Sequence, residues 1–313
     1  MELTRVTAFC PGHISGYFLP VIHDDPDISG SIGAGIVISE GVRVIAEKST
    51  DSTVKIFQTD RYGQPAERAE SSPVLLDLLE YMQVNASIET CCHLPIGSGY
   101  GMSAAALLGT VHALNALYDR NLSPRDCARI AHRIEVQHRS GLGDVSACQG
   151  GGFVIRKTPG PDGDIMRIMD ARPIYALTIN PIKTSSVLSS PDMMARITRS
   201  FPSRIPQNLD DIMSLSREFA ERSGLISEEI RTVLTVCDKE NLPASMTMLG
   251  CGVFALGKRA ETVSRTSAMR LAETDARGRM MNMNDIIKNE KTICMAYCRK
   301  AIISPTCMVA WAT

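Results

Sequence analysis

Leu94-Pro95-Ile96-Gly97-Ser98-Gly99-Tyr100-Gly101-Met102-Ser103-Ala104-Ala105-Ala106 decides how this chain is read. Residues 86–92 before it have the composition of a strand. After it, Leu107, Leu108, Val111, Leu114, Leu117 and Tyr118 recur at helical spacing. A glycine-rich turn backed by the start of a helix presents backbone N–H groups as a cradle for phosphate. Gly97, Gly99 and Gly101 permit dihedrals that a side chain forbids and let phosphate oxygens approach the main chain. Pro95, Gly97, Ser98, Gly99, Gly101 and Ser103 form the candidate phosphate-binding set. Ser103 falls in the first helical turn, where its hydroxyl could meet a phosphate-bound Mg²⁺. The pattern points to a nucleotide and to kinase chemistry.

Two familiar phosphate motifs do not apply. A dinucleotide fingerprint starting at Gly97 and Gly99 needs a third glycine where Met102 stands. The run from Gly252 to Lys258 has P-loop spacing, but Arg259 takes the place of the Mg-binding Ser or Thr. Its apolar interior reads as a buried strand.

Composition narrows the class. With 313 residues, the chain is long enough for two domains and a substantial core. A net charge of −1 and 44% hydrophobic residues give no basic footprint for nucleic acid or an anionic membrane. No apolar run approaches the roughly 18 residues of a membrane span. The first residues carry no signal-peptide core. Ten cysteines without a Cys-x-x-Cys pair suit reduced thiols and a cytoplasmic setting. Sixteen methionines read as core filler.

Along the chain, residues 3–9 read as a strand ended by Pro11-Gly12-His13, and residues 31–47 as a hairpin broken near Glu40-Gly41. Residues 73–82 read as a helix. Ser123, Pro124 and Asp126 announce another through a Ser-x-x-Asp box. Its buried stripe is Cys127, Ile130, Ala131 and Ile134, with His132 and Glu135 at the edge beside it. Gly141-Leu-Gly143 then breaks the chain before Asp144, and Gly150-Gly-Gly152 leads to a strand ending at Arg156. The prolines and glycines of residues 158–164 mark a boundary, giving domains 1–160 and 161–313. In the second half, residues 174–179 and 252–256 read as strands. Residues 209–222, 228–239 and 286–300 read as helices. The order predicts an α+β fold.

Together these segments resemble the GHMP kinase superfamily, whose nucleotide loop is Pro-x-x-x-Gly-Leu-Gly-Ser-Ser-Ala-Ala. Pro95, Gly99, Gly101, Ser103, Ala104 and Ala105 match it, while Tyr100 and Met102 replace a Leu and a Ser. Within the superfamily the chain is most similar to the archaeal pantoate kinase branch. The motifs carrying that likeness are Pro11-Gly-His-Ile-Ser-Gly-Tyr-Phe18, Gly30-Ser-Ile-Gly-Ala-Gly35, Ala131-His-Arg-Ile-Glu135, Gly141-Leu-Gly-Asp-Val145, Lys183-Thr-Ser-Ser186 and Ser245-Met-Thr-Met-Leu-Gly250. The resemblance implies a ribosomal-protein-S5-like N-terminal domain and a ferredoxin-like C-terminal domain, with ATP and acceptor between them. A homodimer is compatible with that architecture. The expected reaction is ATP-dependent phosphorylation of pantoate to 4-phosphopantoate. Homoserine, shikimate or mevalonate as acceptor, decarboxylation of a phosphorylated acid, or a non-catalytic ATP-binding sensor are the alternatives.

Ser103 and Glu135 supply hard oxygen ligands suited to Mg²⁺. By resemblance Asp144 is the catalytic carboxylate facing the acceptor hydroxyl; a helix N-cap is its other reading. A substrate carboxylate calls for a planar cation, for which Arg156 at its strand end is the candidate. The resemblance assigns the remaining acceptor oxygens to Ser31, His132 and Thr184. A zinc reading of His132, Glu135 and His138 fails, because His138 lies about 240° round the helix from His132.

Overall fold

The computed structural model describes residues 3–59, 64–170, 172–180, 190–257, 299–301 and 309–312. Its frame is a long antiparallel pair, β1 (Arg5–Val21) and β2 (Gly30–Lys48), which pair from Arg5↔Glu47 to Val21↔Gly30 with register shifts between Pro11 and Gly12 and between Ser15 and Tyr17. Neither expected break turns the chain. At Pro11-Gly12 and at Glu40-Gly41 the ladder shifts by a bulge, Pro11 facing Gly41 and Gly12 facing Ile38. A bulge absorbs the extra residues and bends the strand without ending it.

The other strands of the first sheet are β3 (Thr53–Thr59), β4 (Pro65–Ala69), β5 (Ala86–Cys92), β6 (Phe153–Arg156) and β7 (Ile165–Ile168), with β12 (Val309–Ala312) on the far side of β1. Four helices accompany it: α1 (Pro73–Tyr81), α2 (Met102–Leu117), α3 (Pro124–Gln137) and the short α4 (Asp144–Cys148). Ser123 caps α3 as its box predicts, accepting from the Asp126 amide. Ile130 is only half-buried, whereas His132 and Glu135 are fully buried.

The second sheet runs β11-β8-β10-β9, formed by β8 (Ile174–Asn180), β9 (Ala244–Met246), β10 (Cys251–Leu256) and β11 (Arg299–Ala301). Its helices are α5 (Pro191–Ser200), α6 (Leu209–Ser223) and α7 (Glu228–Lys239). The P-loop look-alike falls on β10, which is buried throughout. The helix expected over residues 286–300 lies mostly outside the described residues, and its last two belong to strand β11. The boundary at 160/161 does not follow the sheets: β7 pairs with β6 and β12 with β1, so both belong to the first sheet.

α6 packs against both β1 and β9. Gly16 permits that approach, since a Cβ there would overlap the Ser216 hydroxyl. One apolar cluster runs through both sheets, from Val6 and Val44 through Leu107 to Phe219 and Phe254.

α2 is apolar on nearly every face, as befits a helix buried between layers. It carries His112, whose pKa burial pushes down to about 4. The unfolded chain therefore binds this proton first as pH falls. The associated stability is complete above about pH 6.5 and is lost progressively toward pH 4, on the order of 3 kcal/mol. His112→Gln should flatten the fall in Tm between pH 6.5 and 4 in thermal denaturation. An unchanged slope would place the acid sensitivity elsewhere.

Candidate active site

The glycine loop is built as its composition predicts. Gly97, Gly99 and Gly101 all have positive φ, at 75°, 78° and 65°. Gly101 is the N-cap of α2 and offers no side-chain cap, so the first amides of a 16-residue helix remain available to an anion. A cavity of about 370 Å³ opens there, lined by the loop, Ser103, Ser15 and Asp144, with Met248 and Leu249 opposite. Pro95 and Gly97 line it too, whereas Ser98 is buried.

Asp144 reaches this cavity from the first turn of α4. Gly143, not Asp144, is the N-cap, which removes the capping alternative. A Cβ on Gly101 would lie 3.5 Å from the Asp144 Cβ and 3.3 Å from the His13 backbone, so phosphate loop, β1 and carboxylate converge at one point. The His13 amide also donates to the Tyr100 carbonyl at 3.0 Å.

His13 carries no assigned role in the sequence reading, yet it is the closest partner of Asp144. Its Nδ1 lies 2.6 Å from Asp144 Oδ1, and its Nε2 faces Arg156 Nη1 at 3.4 Å. A guanidinium can only donate. Nε2 therefore accepts, and Nδ1–H donates to the carboxylate. Burial pushes the His13 pKa below its ordinary value despite the nearby Asp144, in keeping with a neutral ring. Burial pushes the Asp144 carboxyl up. The His13 hydrogen bond, the Arg156 charge and a Ser15 hydrogen bond outweigh that effect and hold it below the ordinary carboxylate value. In the sequence His13 is marked by its place in the Pro11–Phe18 motif and by following Pro11-Gly12, where the strand is expected to end.

Arg156 is 3% exposed, and among the described residues no carboxylate lies within ion-pair distance of it. Its contacts are long: 3.4 Å to the Ser31 carbonyl and 3.4 Å to the Ser31 hydroxyl, besides the one to His13. Gly33 and Gly35 leave room on the sheet face, and a Cβ on Gly35 would overlap the His13 ring. Ser31, Arg156, His13 and Asp144 thus form one group.

Glu135 and His132 lie deeper. Glu135 is 1% exposed, and among the described residues neither of its carboxylate oxygens has a hydrogen-bond partner. His132 Nδ1 stands 3.6 Å from Glu135 Oε2, too far for a hydrogen bond, and its Nε2 meets the Ser29 carbonyl at 2.9 Å. Burial drives the Glu135 pKa up, opposed by His132. An orphaned, desolvated carboxylate beside the phosphate loop's helix fits a cation ligand, as does the hydroxyl of Ser103 at the cavity wall. His132 does not line the cavity in this arrangement, and Thr184 falls outside the described residues.

The second half of the chain closes the loop from above. Tyr100 Oη is 2.8 Å from Thr178 Oγ1, Thr247 Oγ1 donates to the Ser98 carbonyl at 3.1 Å, and the Met248 amide donates to the Ser15 carbonyl at 3.2 Å. No helix among the described residues is long and apolar enough to cross a membrane.

Residues 71–152 match the model of the GHMP kinases N-terminal domain. The chain is 90% identical over 263 residues to a pantoate kinase of Methanospirillum hungatei, covering 84% of this chain and 91% of that protein. A pantoate kinase of Thermococcus kodakarensis is 32% identical over 270 residues, 82% of this chain and 89% of the relative. A solved structure described as a phosphotransferase related to the coenzyme A biosynthesis pathway superposes with a TM-score of 0.75 at 26% identity. That match covers 98% of this chain and 99% of the other. The helix-backed glycine loop, the carboxylate beside it and these likenesses agree: the chain belongs to the GHMP kinase family of small-molecule kinases, in the group that contains the archaeal pantoate kinases.

Proposed function

We propose that the protein transfers the γ-phosphate of ATP to the primary hydroxyl of pantoate, forming 4-phosphopantoate on the route to coenzyme A. The observation that carries this reading is the buried Arg156, a cation that has no carboxylate partner among the described residues and stands one hydrogen-bonded histidine away from Asp144. A buried charge of this kind is costly until an anion meets it. An acceptor bearing a carboxylate offers that anion, and the relatives' names supply its identity.

The glycine loop and the N-terminus of α2 bind the triphosphate through backbone amides. Ser103 and Glu135 are the residues that would hold Mg²⁺, which neutralises phosphate charge when bound. Asp144 stays ionised at neutral pH and accepts a hydrogen bond from the acceptor hydroxyl. Because its pKa is held low, Asp144 is a weak base. It therefore orients the hydroxyl and takes the proton late, as a loose phosphoryl-transfer transition state allows. His13 fixes the carboxylate's direction.

The test is ADP release by the purified protein with ATP and Mg²⁺, offered pantoate, homoserine, shikimate and mevalonate in separate reactions. Turnover with pantoate, giving a product one phosphate heavier, is expected. Turnover with another acceptor alone would discard the pantoate assignment and keep the kinase. For the metal, Glu135→Gln should raise the Mg²⁺ concentration giving half-maximal rate at least tenfold. An unchanged Mg²⁺ dependence would remove Glu135 as a ligand.

A further inference from the structure

A second cavity, about 250 Å³, lies beside the phosphate cavity's partner residues. It is walled on one side by Tyr17, Gly33 and Arg156 of the first sheet. On the other side stands the 201–206 segment between α5 and α6, Phe-Pro-Ser-Arg-Ile-Pro. The volume falls below the range of drug-sized sites and suits a small metabolite. No residue of this segment has a part in the phosphate cradle or in the Asp144 group.

The lining joins two chemistries. Arg156 and Arg204 bring one guanidinium from each half of the chain. Arg204 is tethered through Nη1 to Asp211 at 3.0 Å, an anchor that engages one nitrogen of a five-donor fork. Tyr17, which lines the same cavity, is buried at 3% exposure. Lys157, paired with Asp164 at 3.1 Å, and Ser203 are the other polar lining residues, and the rest of the wall is mainly apolar. Phe201 meets Tyr17 edge-on at 5.7 Å, Pro202 and Pro206 stiffen the loop, and Ile205 is 51% exposed at the rim. A half-exposed isoleucine over a cavity containing two arginines suits a ligand that is anionic at one end and branched hydrocarbon beside it.

The position also suits transfer. A Cβ on Gly143 would lie 3.0 Å from Arg156 Nε, so the guanidinium backs onto the residue preceding Asp144. A four-carbon hydroxy acid spans about 5 Å from carboxylate to terminal hydroxyl by ordinary bond lengths. With its carboxylate on Arg156, such an acid can turn its hydroxyl toward Asp144 while its branched carbon remains in the apolar part.

Resting on the function proposed above, we infer that this cavity receives the carboxylate and quaternary carbon of the acceptor, with Arg204 as the second cation and Ile205 and Phe201 reading the two methyl groups. The segment 201–206 is then the acceptor-specificity loop. An extra methyl in an apolar pocket is commonly worth a factor of ten to a few hundred in discrimination.

The deciding experiment compares the wild-type chain with Ile205→Glu, Ile205→Ala and Arg204→Gln. Pantoate and 2,4-dihydroxybutanoate, the same acid without its methyls, serve as alternative acceptors. Ile205→Glu sets a negative charge at the mouth and should raise the pantoate KM at least tenfold, with kcat and the ATP KM within twofold. Arg204→Gln should raise the pantoate KM about fivefold or more. Ile205→Ala should shrink the preference for pantoate over its desmethyl analogue at least threefold. Ile205 is half-exposed, so its variants should keep the wild-type Tm even if Arg204→Gln does not. A wild-type enzyme active on pantoate whose KM stays within twofold in both Ile205→Glu and Arg204→Gln overturns the cavity assignment alone. A parallel rise in the ATP KM also overturns it. A wild-type enzyme silent with pantoate overturns the function on which this inference rests, and the inference with it.

Discussion

Asparagine in place of Asp144 is expected to lower kcat about a thousandfold while leaving the affinity for ATP within threefold. The change is isosteric and keeps an oxygen for His13 Nδ1–H, 2.6 Å away, so the local frame persists. What disappears is the charge that aligns the acceptor hydroxyl and finally takes its proton, a contribution commonly worth 10² to 10⁴. Single-turnover kinetics and calorimetric ATP binding separate the two effects; a loss below tenfold would remove Asp144 from the transfer step. The pH profile of the unmodified enzyme gives a second readout. Asp144 is held below the ordinary carboxylate value of 3.8, and burial keeps His13 below 6.5. Neither Asp144 nor His13 should therefore contribute an inflection to the rate between pH 6.5 and 8.

Alanine at Gly250 is expected to be nearly as damaging, through the opposite half of the molecule. Its Cβ would come within 2.6 Å of the Gly99 amide nitrogen and nearer still to the Ser98 carbonyl. Both are backbone, so no side chain can swing aside, and the glycine loop itself must move. Overpacking of this kind costs about 1–3 kcal/mol. Here the displaced element is the phosphate cradle, and the ATP KM should rise about thirtyfold or more. Steady-state kinetics against ATP and a thermal melt measure the two parts. An ATP KM within twofold of wild type would mean that the loop tolerates displacement.

The sequence was most legible where chemistry demands backbone geometry. Gly97, Gly99 and Gly101 adopt the positive φ that their spacing predicted, and Ser123 caps α3 as its box required. Less legible were the features fixed by distant partners. Pro11-Gly12 and Glu40-Gly41 carry the composition of turns, but each strand continues because it is the other's ladder partner. Local propensity yields to sixteen-odd residues of pairing. His13 stayed unassigned for the same reason: Asp144 lies 131 positions away and Arg156 143, and no local pattern announces either contact. His132 and Glu135 were legible as neighbours three residues apart on a helix, but not as a wholly buried pair. Nor does any local pattern show that β7 and β12 return to the first sheet after the proline-rich segment that reads as a linker.

The β1–β2 ladder has a consequence for how such proteins can diversify. His13, Ser15 and Ser31 are carried on its hydrogen-bonded rungs or at its end, whereas residues 201–206 form a connection between helices. A change in the connection alters which molecule is admitted without re-registering a single strand pair; a change in the ladder disturbs the reaction for every acceptor at once. Selection for a new acceptor can therefore work on a short, replaceable segment while the transfer apparatus is inherited intact.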